Sequence, residues 1–196
     1  LYVEQLMERA RHIEVQIIGD GSGAVSHLGE RECSIQRRHQ KIIEISPCPT
    51  LSPGLRALLT ADAVRMAESI RYHNVGTFEF LVDSESMSDD ATYAFIETNP
   101  RLQVEHTVTE EVMGVDFVKI QLQLAAGNSL EELGLRQTDL SSPQGYAVQV
   151  RINMETMDAD GNTRPSGGTL TAFETPSGRG VRTDTCGYVG YHTSHN

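Results

Sequence analysis

The sequence predicts an α+β fold. Strands, one helix, a hairpin, two short helices and further strands follow one another without a regular strand–helix alternation. Three observations carry this. Residues 12–18 (HIEVQII) alternate apolar and polar side chains. Residues 53–71 repeat apolar side chains at helical spacing behind a Ser-Pro start. The runs VGTFEFLVD (75–83) and TYAFIETN (92–99) are rich in strand formers and flank an acidic connection, SESMSDDA, expected to be exposed.

The elements follow in order. Leu1-Tyr2-Val3-Glu4 reads as a strand, and neither it nor Ser194-His195-Asn196 resembles a natural terminus, so both ends are expected to be cut from something longer. Ile13, Val15 and Ile17 against His12, Glu14 and Gln16 predict a half-buried strand with a polar working face. Gly19-Asp20-Gly21-Ser22-Gly23 supplies a turn, and strands are expected at about 24–29 and 32–36. Ser52 as N-cap and Pro53 in the first turn start a helix whose stripe is Leu55, Leu58, Leu59, Met66 and Ile70, ending near Arg71. Helices over 107–113 and 115–126 break at Gly114 and close at Gly127. A polar connector (128–144), a strand over 146–153, a glycine-rich loop (DADGNTRPSGG) and short strands near 168–174 and 179–184 complete the chain.

The 196 residues suffice for one large domain or parts of two, and 38% hydrophobic content allows a buried core. A net charge of −11 argues against a nucleic-acid partner, which needs broad basic surface. No apolar run reaches membrane-spanning length and no signal peptide is visible. Cys33, Cys48 and Cys186 lack metal-ligand spacing and read as free thiols of a reducing compartment. Against this acidic background, QRRHQK (36–41) gathers four side chains able to carry positive charge. It is either a solvated basic turn or the seat of a small anion.

If the 75–99 hairpin folds symmetrically about Ser88, Glu79 faces Glu97 with Cβ atoms about 5 Å apart. Asn99 shares their face. Two such carboxylates repel by roughly 3 kcal/mol at an effective dielectric near 20. Protonation of one, pairing with a nearby base, or a divalent cation would each relieve this. Two carboxylates and an amide oxygen are hard ligands, suited to Mg²⁺ or Mn²⁺ rather than zinc.

Three segments carry a resemblance: IETNPRLQVEHTVTE (96–110), RHIEVQIIGDGSGAVSHLGERECSIQRRHQKIIE (11–44) and AVQVRIN (147–153). In this order and rough spacing they resemble biotin carboxylases, a branch of the ATP-grasp superfamily, and the likeness covers essentially the whole chain. It implies residues 1–127 as the central and C-terminal part of an ATP-grasp domain and 128–196 as the start of a biotin carboxylase C-terminal domain. It further implies that ATP and bicarbonate form carboxyphosphate, which carboxylates N1′ of biotin on a carrier domain; a separate carboxyltransferase domain chooses the final acceptor. Such enzymes commonly dimerise, and the cytoplasm or mitochondrial matrix would suit the thiols.

By matching positions, the resemblance assigns Glu79, Glu97 and Asn99 to Mg²⁺ or Mn²⁺. Bicarbonate falls to Lys41, Arg101, Gln103, Val104 and Glu105, with Glu105 as its base. Arg151 is placed on the biotin oxyanion. Glu4, Met7, His12, Gln36 and His39 are placed around the nucleotide; Gln5 stands where the family often has lysine. Arg37 and Arg38 are expected to pair with Glu30, Glu32 or Glu44, and His106 to pack at a helix start. No glycine-rich phosphate lid is present, so these 196 residues alone are expected to be inactive. The competing readings are another ATP-grasp ligase joining an acylphosphate to an amine, and a non-catalytic docking module.

Overall fold

A computed structural model describes residues 1, 3–85 and 88–193. Its elements are β1 (Ala10–Asp20), β2 (Val25–Arg37), β3 (Gln40–Ser46), α1 (Pro53–Ser69), β4 (His73–Asp83), β5 (Tyr93–Asn99), α2 (His106–Met113), α3 (Phe117–Ala125), β6 (Ala147–Val150), β7 (Glu155–Met157), β8 (Thr163–Pro165), β9 (Gly168–Thr169) and β10 (His192–Thr193). The chain divides into two compact units, Leu1–Arg151 and Ile152–Asn196.

In the first unit an antiparallel sheet runs β5-β4-β1-β2-β3-β6. One face of the central strands, including Ile13, Val15, Ile17, Phe78, Phe80 and Val82, packs with Leu55, Leu59, Ala63 and Ala67 of α1. The buried stripe of α1 therefore recurs every fourth residue and uses small alanines, which let the helix approach the sheet. Leu58 and Ile70, expected in that stripe, are exposed. Ser52 caps α1 by accepting from Leu55 N at 3.2 Å. A second core gathers Ile18, Leu28, Val75, Phe117, Ile120 and Leu124 with Leu130 and Leu135.

Several expectations change. β1 is not half-buried: Glu14 and Gln16 are as enclosed as the isoleucines, because the polar face meets charged and hydroxyl partners rather than water. The two strands expected over 24–36 are one, since Gly29 at φ +80 lies where the β1–β2 register slips and the strand continues. QRRHQK is a hairpin turn, with Arg38 and His39 both at positive φ, and it leads into β3, which the sequence reading missed. The β2–β3 register slips by one at Ile42, from Ile35↔Ile43 to Gln36↔Lys41. That extra residue sets Lys41 on the same face as Glu44 and opposite Ile43 and Ile45.

The stretch over 128–144 is polar but anchored by Leu130 and Leu135, and β6 then pairs with β3 through Ile43↔Val150. Those contacts are why the first unit reaches Arg151, beyond the boundary at 127/128 drawn from the sequence. Leu1, Val3 and Glu4 are not in a strand, and Tyr2 lies outside the described residues. In the acidic connection, Ser84, Glu85, Ser88, Asp89 and Asp90 are exposed, while Ser86 and Met87 lie outside the described residues, as do Ser194, His195 and Asn196.

In the second unit the glycine-rich loop supplies the turn and second strand of the β7–β8 hairpin, and the turn is closed by Asp158 accepting from the backbones of Asp160 and Asn162. The strand expected over 168–174 shrinks to Gly168–Thr169, and none forms over 179–184, where Gly180 sits at positive φ. The three cysteines are free thiols. Among the described residues no helix is long and apolar enough to cross a membrane.

Gly76 is fixed by packing. A Cβ at Gly76 would overlap the Tyr72 hydroxyl, which reaches Val75 O at 3.3 Å beneath β4. Gly76→Ala is expected to destabilise by ~1–3 kcal/mol through overpacking, read as a lowered urea midpoint at unchanged slope.

Candidate active site

The site forms on the face of the sheet opposite α1. Glu79 pairs with Glu97 across β4 and β5, as the symmetric hairpin predicts, and the ladder slips only beyond them, to Phe80↔Phe95. Asn99 Nδ2 stands between the two carboxylates, donating to Glu79 Oε1 (3.0 Å) and Glu97 Oε1 (2.8 Å). Gln103 Nε2 also donates to Glu79 Oε1, at 2.9 Å. His12 Nε2 lies 2.6 Å from Glu79 Oε2.

Cations thread between the acids. Lys41 Nζ meets Glu14 Oε2 (2.6 Å), Glu105 Oε1 (2.6 Å) and Glu79 Oε1 (3.1 Å), using all three ammonium donors. Arg151 reaches Glu44 Oε1 through Nε (2.7 Å) and Glu105 Oε2 through Nη2 (2.9 Å). Arg31, fully buried, donates from Nε to Glu14 Oε1 at 2.5 Å. Four carboxylates (Glu14, Glu44, Glu79, Glu105) thus face three permanent cations, and Glu97 beside them adds further negative charge. The excess suits a bound cation.

The electrostatics follow from these contacts. Burial pushes the Glu79 carboxyl up, but hydrogen bonds from His12 and Gln103 and the Lys41 charge outweigh it and hold Glu79 at about 2. Glu105 is likewise lowered: burial opposes ionisation, and Lys41 overrides it. Lys41 is raised despite its burial, chiefly by Glu14 and Glu105. Glu44 is raised, since burial outweighs Arg151 there.

The residues expected to hold bicarbonate do not converge equally. Lys41, Gln103 and Glu105 join the cluster. Arg101 is exposed and, among the described residues, makes only longer contacts to Leu102 O (3.2 Å) and Asn99 Oδ1 (3.4 Å), with no ion pair to Glu105. Val104 is exposed, so only its backbone could serve a polar ligand. Gln103 Oε1 is buried without a hydrogen-bond partner among the described residues.

Of the residues expected at the nucleotide, Gln36 is tied to the site: its Nε2 meets His12 Nδ1 at 3.0 Å and donates to Cys33 O at 2.9 Å. His12 stands directly on Glu79. His39 is exposed at the hairpin tip, Glu4 is exposed before β1, and Met7 is half-buried. Among the described residues no hydrogen bond or ion pair joins these three to the cluster. Glu30 pairs with Arg56, Glu32 with Arg11 and Glu44 with Arg151. His106 does pack at the start of α2, edge-on to Phe117.

Sequence reasoning gave Glu14, Gln16, Arg31 and Glu44 no part in the site. The available signal was charge density: alternate polar residues on β1 facing GERE (29–32) exceed what one exposed strand face needs. Ligand atoms of His12, Glu14 and Glu79 lie within 4.8 Å of one another, but Lys41 already pairs with two of these carboxylates. The all-oxygen trio of Glu79, Glu97 and Asn99 remains the better fit to a divalent ion. The Asn99 amide nitrogen stands between the two acids, and to ligate a cation there Asn99 would have to turn its oxygen inward.

Residues 1–133 match the family described as carbamoyl-phosphate synthase L chain, ATP binding domain. The pyruvate carboxylase of Aspergillus niger is 48% identical over 184 residues, 94% of this chain. The chain spans 15% of the length of that relative. The biotin carboxylase domain of a single-chain bacterial carboxylase superposes with a TM-score of 0.86 at 47% identity, covering 99% of this chain and 42% of that one. The biotin carboxylase domain dimer of Hydrogenobacter thermophilus 2-oxoglutarate carboxylase, solved with magnesium ADP, ADP and bicarbonate, superposes at 0.87 with 41% identity, covering 97% of this chain and 40% of that one.

Proposed function

The chain belongs to the carbamoyl-phosphate synthase L chain ATP-binding family, with the ATP-grasp fold of biotin carboxylase domains, and we propose that it carries the bicarbonate and metal side of a biotin carboxylase centre. The observation that carries this reading is Lys41, whose ammonium joins Glu79 of the metal trio to Glu105 of the anion site. The likeness to a domain solved with magnesium ADP and bicarbonate supports the ligand assignment.

In this reading bicarbonate sits between Lys41 and Arg101. Lys41 supplies charge by yielding one carboxylate contact, and Arg101, exposed and bound only through longer contacts, offers a planar fork. Glu105, held as a carboxylate beside Lys41, takes the bicarbonate proton. Arg151, already against Glu105, is placed to stabilise the oxyanion of deprotonated biotin. Glu79, Glu97 and Asn99 hold Mg²⁺ or Mn²⁺, which when bound neutralises the terminal phosphates of ATP. His12, Gln36, His39, Glu4 and Met7 border the nucleotide. A biotin carrier domain and a carboxyltransferase are the implied partners, a homodimer the implied assembly, and a reducing compartment the implied location.

The test uses the full protein that carries this chain. ATP cleavage is expected to require bicarbonate, Mg²⁺ and biotin, and Mn²⁺ affinity is expected to fall at least tenfold in Glu79→Gln/Glu97→Gln. Cleavage that ignores bicarbonate but responds to an amine acceptor would reassign the chemistry to another ATP-grasp ligase. Unchanged Mn²⁺ affinity would remove the metal site.

A further inference from the structure

We propose that Arg31 is a positioning residue that aims Lys41 at the anion site by fixing Glu14; this rests on the biotin carboxylase reading above. Arg31 has no solvent exposure, and every contact it makes has a direction. Nε donates to Glu14 Oε1 (2.5 Å), Nη1 to Gln16 Oε1 (2.7 Å) and Thr109 Oγ1 (2.9 Å), and Nη2 to Thr77 Oγ1 (3.2 Å). Three of the four acceptors are neutral and stand on three elements, β1, α2 and β4. They fix the plane of the guanidinium, and Glu14 is the one charged acceptor among these four.

Glu14 is the next link. It is fully buried, one oxygen taken by Arg31 and the other by Lys41. The carboxylate torsion of glutamate is intrinsically broad, so a carboxylate held at one oxygen only would swing. With Arg31 holding Oε1, Oε2 keeps one direction, and the flexible lysine stem is anchored where its ammonium also reaches Glu79 and Glu105. A buried pair serving stability alone would be closed on itself. Here a single carboxylate is shared between a cation that never meets ligand and one that does, an arrangement that preorganises the second.

The experiment uses the full protein. Arg31→Met leaves Glu14 buried beside one cation and can unfold the chain, so the decisive variant is Arg31→Met/Glu14→Met, which replaces the pair by apolar side chains of similar length. Two readouts are taken. One is the rate of Lys41 acetylation by an N-hydroxysuccinimide ester, followed by peptide mass spectrometry. The other is the pair of KM values for bicarbonate and MgATP. The expected result is a folded protein in which Lys41 reacts at least tenfold faster and the KM for bicarbonate rises at least tenfold, while that for MgATP stays within twofold.

Wild-type values of Lys41 reactivity and bicarbonate KM in the folded double variant would overturn the proposal and leave the pair a stabilising one. A rise in both KM values would also overturn it, since the effect would not be confined to the anion. Should the double variant fail to fold, Arg31→Lys decides by the same readouts, because it keeps the charge but cannot serve four acceptors. Absence of bicarbonate-dependent ATP cleavage in the unaltered protein would refute the functional reading; the acetylation comparison would still decide whether Arg31 holds Lys41.

Discussion

Lys41→Met is expected to abolish bicarbonate-dependent ATP cleavage in the full protein, with a loss of at least ~100–1,000-fold, and to destabilise the fold as well. The Lys41 side chain is 13% exposed, and its ammonium touches Glu14, Glu79 and Glu105 together. Removing one partner from a buried ion pair typically costs ~3–5 kcal/mol, because the remaining charge has neither water nor a counter-ion. Arg31 still serves Glu14 and Arg151 still serves Glu105, so the deficit concentrates at Glu79 and between the acids themselves. The variant should therefore be relatively more stable at mildly acidic pH, where one carboxyl takes up a proton. Steady-state turnover and urea unfolding at two pH values check this. Turnover within threefold of wild type would place the chemistry elsewhere.

Acid should unfold the protein through this same cluster, in metal-free buffer, as pH falls from about 4.5 toward 2. Glu79 and Glu105 have folded-state pKa values below their unfolded ones. Such carboxylates contribute stability that is fully present above the unfolded value and is lost as pH drops through the folded value. For Glu79, a displacement from 4.5 to about 2 corresponds to about 3 kcal/mol. Glu44 works in the opposite sense, since its raised pKa makes protonation favour the folded state, so part of the loss is offset. Urea unfolding at pH 6 and pH 3 is expected to show the drop, and Glu79→Gln should reduce it by more than half. An equal drop in that variant would mean that other carboxylates govern the acid limb.

How much of this was legible in the sequence differs by residue. The Glu79–Glu97 pair was readable because a hairpin with a central turn has one symmetric register, and the slip at Ile96 falls beyond the pair. The family resemblance rested on contiguous runs and was borne out by the match over residues 1–133 and by the biotin carboxylase neighbours. Glu14, Gln16 and Arg31 were not legible as one unit, because their burial depends on α2 laying Thr109 against them from 78 residues away. β3 was hidden behind its own basic turn. The stripe of α1 was misjudged because leucines were weighed above alanines, whereas close approach to a sheet favours the smaller side chain.

The one-residue slip at Ile42 carries a further consequence for how this region can vary. A side chain on a ribbon reaches one surface or the other according to whether an odd or even number of positions separates it from a fixed neighbour. The two-residue turn and the extra position at Ile42, one of two slips in this ladder, together decide which surface receives the ammonium. Insertion or deletion of one residue between Gln36 and Lys41 would thus turn the ammonium toward the opposite surface, away from the acids.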